Sequence, residues 1–209
     1  MFNFPTLYDI AILLPAVVIG LTFHEYAHGW AADRLGDRTA RYMGRLTLNP
    51  VAHIDVVGLI MIFIAGFGWA KPVPVNPLNL VGDMRRSLML VSLAGPATNL
   101  LIAVLGAVLL GLGGWKIPYG NEIFNKIILL NLVLAIFNLI PVPPLDGSKI
   151  LAGLLPGRQE WLSAIENYGT LILILLLFTG VVGFIIRPII IPLYNLLIVL
   201  AQGLSQVIS

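Results

Sequence analysis

The chain has 209 residues, of which 58% are hydrophobic and 11% charged, with a net charge of +2 and no cysteine. Soluble domains carry about 25% charged residues, so this composition excludes an ordinary soluble domain, a disordered chain and a basic nucleic-acid module. Disulfides, thiolate metal ligands and cysteine nucleophiles are excluded as well, leaving a single integral membrane domain, residues 1–209, in a lipid bilayer.

A helix needs about 20 mostly apolar residues to cross the hydrocarbon core. Tyr8–Ala32 meets this, although His24, Glu25 and His28 lie inside it. Leu46–Leu80 is apolar but interrupted by Pro50, Gly58, Gly66, Gly68, Pro72, Pro74 and Pro77, and Val56–Phe67 within it is too short to cross. Proline disfavours helix at itself and at its predecessor, so Lys71–Pro77 is predicted to be extended. Non-helical backbone at membrane depth must be buried in protein or line a wet cavity. Region 46–80 therefore reads as a re-entrant or strand-forming insertion beside a cavity, or else as an interfacial loop. Leu88–Leu112 is a second span, and a third runs from Asn121 to Ile140. Thr170–Ile186 and Pro188–Leu204 make a fourth and a fifth, parted at Arg187-Pro188. The expected fold is an all-α polytopic membrane protein with about five transmembrane helices and a membrane-associated re-entrant or β insertion at about 46–80.

Lys and Arg concentrate on the cytoplasmic side of a membrane protein. If the first helix ends in the cytoplasm, Arg34, Arg38, Arg41, Arg45, Lys71, Arg85, Arg86, Lys149 and Arg158 fall there, and Lys116, Lys126 and Arg187 fall outside. This predicts an outside N-terminus, a cytoplasmic C-terminus and a multi-pass chain. The first span is not read as a signal peptide, because it lacks a basic n-region and a small-residue cleavage site.

His24-Glu25-Tyr26-Ala27-His28 is an H-E-x-x-H sequence. Residues i and i+4 share one helical face, so both imidazoles can address one metal ion. Glu25 then stands beside the metal, where it can take a proton from a water and later pass one to a leaving amine. Three ionisable groups within five residues of a spanning helix are costly and need a shared reason. Zinc supplies one, and a three-ligand site leaves a fourth position open. The competing reading is a hydrogen-bonded histidine pair within a helix bundle. The third ligand is open between several residues. Asp146, just past the inner end of the third span, has a compatible depth, and reads either as a ligand or as a turn or helix-cap residue. His53 and Asp55 compete as ligands or as partners behind the ligands. Asn138 can donate to an oxyanion or to substrate, or can bond between helices, a reading that applies more strongly to Asn99 and Asn131. Ala94-Gly-Pro-Ala-Thr-Asn99 reads as a close-packing site.

Together, these residues resemble the site-2 protease family of intramembrane zinc metalloproteases. The family pattern is H-E-x-x-H in one core helix and N-x-x-P-x-P-x-L-D-G in a later one. The second is matched in full by Asn138-Leu-Ile-Pro141-Val-Pro143-Pro-Leu145-Asp146-Gly147, and the A-G-P-x-x-N element stands at Ala94–Asn99. The resemblance implies Zn2+, one per chain, held by His24, His28 and Asp146, with Glu25 as catalytic residue and Asn138 as a substrate or transition-state contact. It implies a transmembrane protein as substrate, cleaved in or near its membrane span. It also implies a strand near Lys71–Pro77, to which an unwound substrate could add. The chain looks like a compact member, without a PDZ-type insertion or a terminal regulatory domain, and its glycine-rich packing faces permit a homodimer. Two rival classes stay open: a metal or proton transporter with a midplane metal site, and a catalytically inactive relative that binds membrane helices. No internal repeat of the kind common in transporters is evident.

Overall fold

The computed structural model describes residues 6–65, 68–156 and 160–208. Helices dominate: α1 (Leu7–Arg34), the short α2 (Thr39–Tyr42), α3 (Val56–Ala65), α4 (Met84–Gly111), α5 (Gly120–Asn138), α6 (Asp146–Leu154), α7 (Glu160–Phe178) and α8 (Val181–Ile208). α1 begins with a capping box, in which Thr6 accepts from the Asp9 amide and the Asp9 carboxylate accepts from the Thr6 amide. Asp83 caps α4 by accepting from the Arg85 and Arg86 amides. Such caps satisfy the first amides of a helix, which have no intrahelical acceptor.

Among the described residues four helices are long and apolar enough to cross a membrane: Leu7–Arg34, Met84–Gly111, Gly120–Asn138 and Val181–Val207. At about 1.5 Å per residue, the 28-residue α1 and α4 exceed a hydrocarbon core of about 30 Å. α4 is the central helix and packs on α1, α5, α6 and α8. Its small residues let neighbours come close. Ala103, Ala107 and Leu110 form one core with Ile128 and Leu132 of α5 and Ile190, Leu197 and Ala201 of α8. A side chain at Gly111 would run into the Ala201 carbonyl.

The expected division between the last two spans is moved. Arg187-Pro188 lies inside α8, as does Pro192, and the break falls at Gly180, whose φ is +76°. Its amide donates to Leu177 O. A left-handed residue just past the last helical position ends a helix and satisfies its last carbonyls, and glycine adopts that conformation without strain. Proline inside an apolar helix is tolerated when neighbours meet the freed backbone groups.

This alters the topology. Tyr8 stacks edge-on with Tyr119 at 5.7 Å, which puts the start of α1 beside the start of α5. Tyr194 of α8 donates to Asn125 of α5 (2.6 Å), and Ala201 lies against Gly111 at the end of α4. Both ends of the described chain therefore lie at the same end of the bundle, opposite to α6. The expectation of termini on opposite sides, which rested on five crossings, does not match this packing. α7, of which Tyr168–Phe178 is the apolar part, packs mainly on α8. Arg158 lies outside the described residues, and Arg187, within a helix, no longer marks a loop.

Region 46–80 is a turn-back. After α3 the chain returns in extended form, and the two limbs meet closely: a side chain at Gly58 would strike the Trp69 carbonyl, and one at Gly68 the Gly58 carbonyl. The expected strand is reduced to one isolated antiparallel bridge, Ile54 with Ala70. With Pro72, Pro74 and Pro77 in seven residues, Lys71–Pro77 lacks the amide donors of a regular ladder. Its far end is tied down by Asp37, which is fully buried. Asp37 accepts from the Asn76 amide (2.7 Å), the Asn79 side-chain amide (3.1 Å) and the Thr39 amide (3.1 Å). Burial pushes the Asp37 carboxyl up, but the bonds from Thr39, Asn76 and Asn79 outweigh it and hold the group below its ordinary value.

Candidate metal centre

The helical spacing of four residues places His24 and His28 on the buried face of α1. Their Nε2 atoms are 3.0 Å apart. Asp146 is delivered by the start of α6, which packs on α4. Its Oδ2 lies 3.2 Å from His24 Nε2 and 3.3 Å from His28 Nε2. All three residues are buried, and they form a group able to hold a metal ion.

The other ring nitrogens fix what this triangle means. His24 Nδ1 lies 2.6 Å from Asn99 Oδ1, and His28 Nδ1 lies 2.7 Å from the Val91 carbonyl. The Asn99 amide nitrogen is already committed as donor to Gly20 O (3.0 Å) and to Asn131 Oδ1 (2.8 Å), so its oxygen faces the imidazole and accepts. Both Nδ1 atoms therefore carry a proton, and in a neutral imidazole so held Nε2 presents the lone pair. Three lone pairs, two from neutral imidazoles and one from a carboxylate, converge within 3.3 Å. Such an arrangement needs a positive charge, a proton or a metal ion, among the three atoms. Ligands set tetrahedrally at about 2.0–2.1 Å from one ion stand about 3.3 Å apart, so the triangle fits one face of a zinc site.

Gly95 makes the approach possible. A side chain there would lie 2.5 Å from His28 Nε2 and 2.6 Å from His24 Cε1, so the α4 backbone passes directly over both rings. The sequence reading of Ala94–Asn99 as a packing site is thus enlarged. Gly95 admits the rings, and Asn99, one turn on, sets the tautomer of His24. Asn131 completes the relay by donating to Ile127 O (2.8 Å). A buried asparagine four residues from a small residue was the sequence signal, but its partner lies 75 positions away.

Gly147 does the same for Asp146. A side chain at Gly147 would run into the Leu139 and Ile140 carbonyls, so α6 starts tight against the end of α5. The other end of α6 is held by Arg85, whose Nη2 donates to Ala152 O (2.6 Å) and to Leu155 O.

Glu25, also buried, faces the turn-back segment. Its Oε2 accepts from the Val73 amide at 2.7 Å. Asn138 is the last residue of α5, and its side-chain nitrogen donates to Leu134 O (2.9 Å). His53 and Asp55 stand apart from the ligand group. His53 is fully buried with Nε2 2.7 Å from Thr47 O. Asp55 accepts from the Gly58 amide at 2.8 Å, at the start of α3.

Comparison with known proteins agrees with this chemistry. The model of a family described as "Peptidase family M50" matches residues 116–180. A Bacillus subtilis protein named "Putative zinc metalloprotease YwhC" is 41% identical over 84% of this chain and 84% of its own length. A Mycolicibacterium smegmatis protein named "Putative zinc metalloprotease Rip2" is 34% identical over 80% of this chain and 67% of its own. A Methanocaldococcus jannaschii protein named "Zinc metalloprotease MJ0392" is 22% identical over 88% of this chain and 47% of its own. No solved structure matches.

Proposed function

This chain belongs to peptidase family M50, the site-2 protease family of zinc metalloproteases, and from that premise we propose that it hydrolyses a peptide bond in or near the transmembrane segment of a membrane protein. His24, His28 and Asp146 would hold the zinc. The observation that carries this reading is the convergence of three lone pairs within 3.3 Å, each imidazole fixed from behind by an oxygen acceptor. Bound zinc lowers the pKa of water towards about 7 and polarises a carbonyl.

The chain's own residues supply the remainder. Asn99 and Val91 O keep His24 and His28 in the tautomer that offers Nε2. Glu25 takes the proton as water oxygen bonds to the scissile carbon, then delivers it to the amide nitrogen as the C–N bond breaks. Asn138, at the inner end of α5 beside the loop that leads to Asp146, contacts substrate or the developing oxyanion. To do so it turns its nitrogen from Leu134 O. The buried site excludes bulk lipid, and water reaches it from the end of the bundle that carries α6 and most basic residues. We place that end in the cytoplasm by the charge rule. Both described chain ends then lie outside, because four helices among the described residues cross. His53 and Asp55 serve the turn-back rather than the metal.

The test is Glu25→Gln in purified protein reconstituted with a helical membrane substrate. Zinc should stay near one per chain while cleavage falls by about 10³-fold or more, the upper range for removing an acid–base group. Cleavage at the parent rate would refute the assignment. Metal flux into proteoliposomes, abolished by His24→Ala, would favour transport instead.

A further inference from the structure

Glu25 is not held by its own helix. Its Oε2 accepts a 2.7 Å bond from the Val73 amide, 48 residues away, and both residues are buried. Val73 lies between Pro72 and Pro74, so it carries the one backbone donor of those three residues. The prolines also fix φ on either side, which makes the arm stiff. Two contacts set where the arm lies. The Val73 side chain rests against Gly29, one turn beyond Glu25 on α1, where a Cβ would stand 3.1 Å from Val73 Cγ1. On the other side, Arg45 Nη2 donates to Lys71 O (3.0 Å) and to Pro72 O (3.1 Å). Pro72 O belongs to the peptide unit whose nitrogen is Val73 N. Arg45 therefore grips the same rigid amide plane that bonds Glu25.

We infer that Arg45 is a positioning residue for Glu25, acting through the Pro72–Val73 peptide to fix the orientation of the carboxylate. The arm occupies Oε2 and leaves Oε1 for proton transfer. This rests on Glu25 being the proton-transfer residue of the proposed protease. A charge-assisted bond from a stiff backbone amide is short and directional, and a base misplaced by about 1 Å can cost about 100-fold in rate. Arg45 carries out none of the chemistry itself, and it lies apart from the three ligands.

Two readouts on the full-length protein test this. The first is amide hydrogen exchange at Val73, read by NMR on valine-labelled, zinc-loaded protein. Exchange should be slow in the parent and at least about tenfold faster in Arg45→Met, with Arg45→Lys between them. Parent-like exchange in Arg45→Met would overturn the proposal. The second is kinetic. Arg45→Met and Val73→Pro, which deletes the donor within an already extended segment, should each lower kcat by about 10–100-fold with KM and bound zinc unchanged. The double variant should fall no further than the worse single variant, because both act through one bond. Multiplying losses, or a loss of zinc with either change, would refute it. Should Arg45→Met fail to fold, Arg45→Lys for exchange and Val73→Pro for kinetics still decide. An active Glu25→Gln variant would sink the protease reading alone, since the exchange result needs no activity.

Discussion

Gly95→Ala sets two forces against each other. In a helix interior, alanine is favoured over glycine by about 1 kcal/mol, so helix propensity alone predicts a more stable α4. The site predicts the opposite for function. A Cβ at position 95 would stand 2.5 Å from His28 Nε2 and 2.6 Å from both Cε1 atoms. Ordinary contact begins near 3.4 Å, so the rings or the helix must move by about 0.9 Å. The rings have little freedom, because Asn99 and Val91 O hold their far sides at 2.6 and 2.7 Å. Metal sites tolerate about 0.2 Å in ligand distance. A shift several times larger takes at least one imidazole off the tetrahedral face, and loss of a ligand's orientation costs about 10–100-fold in affinity. The expected result is zinc binding weakened about 10–100-fold, about 1.4–2.8 kcal/mol at 1.4 per tenfold, with helix content unchanged. Competition against a chromophoric chelator measures the affinity, and circular dichroism the helix. Gly106→Ala is the control, since its Cβ would meet only the side chains of Ile127 and Ile128, at 3.3 Å. Parent-like zinc affinity in Gly95→Ala would mean that α4 does not pass over the ligands, and the account of the site would fall with it.

Two further outcomes follow from the buried polar groups. Asn99→Leu removes the acceptor of His24 Nδ1 and the donor to Asn131. Zinc affinity should drop about 10–100-fold, and thermal unfolding should show a loss of about 1–3 kcal/mol from the orphaned partners; a change in stability with no change in affinity would refute the tautomer argument. Asp37, held below its ordinary value when folded, stabilises the protein fully above the unfolded carboxylate pKa of about 4. That contribution erodes as pH falls through the lower folded value. Asp37→Asn should be less stable at pH 6, and the gap should narrow at pH 3 in parallel unfolding experiments; a gap independent of pH would contradict the linkage.

Much of the site was legible in the sequence because helical geometry is local. The 3.6-residue period put His24 and His28 on one face whatever the rest of the chain did. Depth along two helices then made Asp146 compatible, and the family resemblance singled it out from His53 and Asp55. The span count was less secure. Proline marks a helix break in water, so Arg187-Pro188 looked like a loop, yet α8 runs through it and Gly180 makes the turn. In the apolar environment the backbone keeps its hydrogen bonds wherever neighbouring groups allow, and a left-handed glycine is the stronger stop.

The sequence by itself determined a membrane protein, the two imidazoles on one helix face and the acid beside them. Tertiary structure alone decided what stands behind each of these groups: Asn99 and Val91 behind the histidines, Gly95 over them, and the Val73 amide on Glu25. The physical reason is separation along the chain. These contacts join residues 48 to 75 positions apart, and no local periodicity records which buried carbonyl or amide a packed helix will meet. They form because a buried polar group must find a partner, and the partner is whichever group the packing of α1, α4 and the returning arm brings within reach.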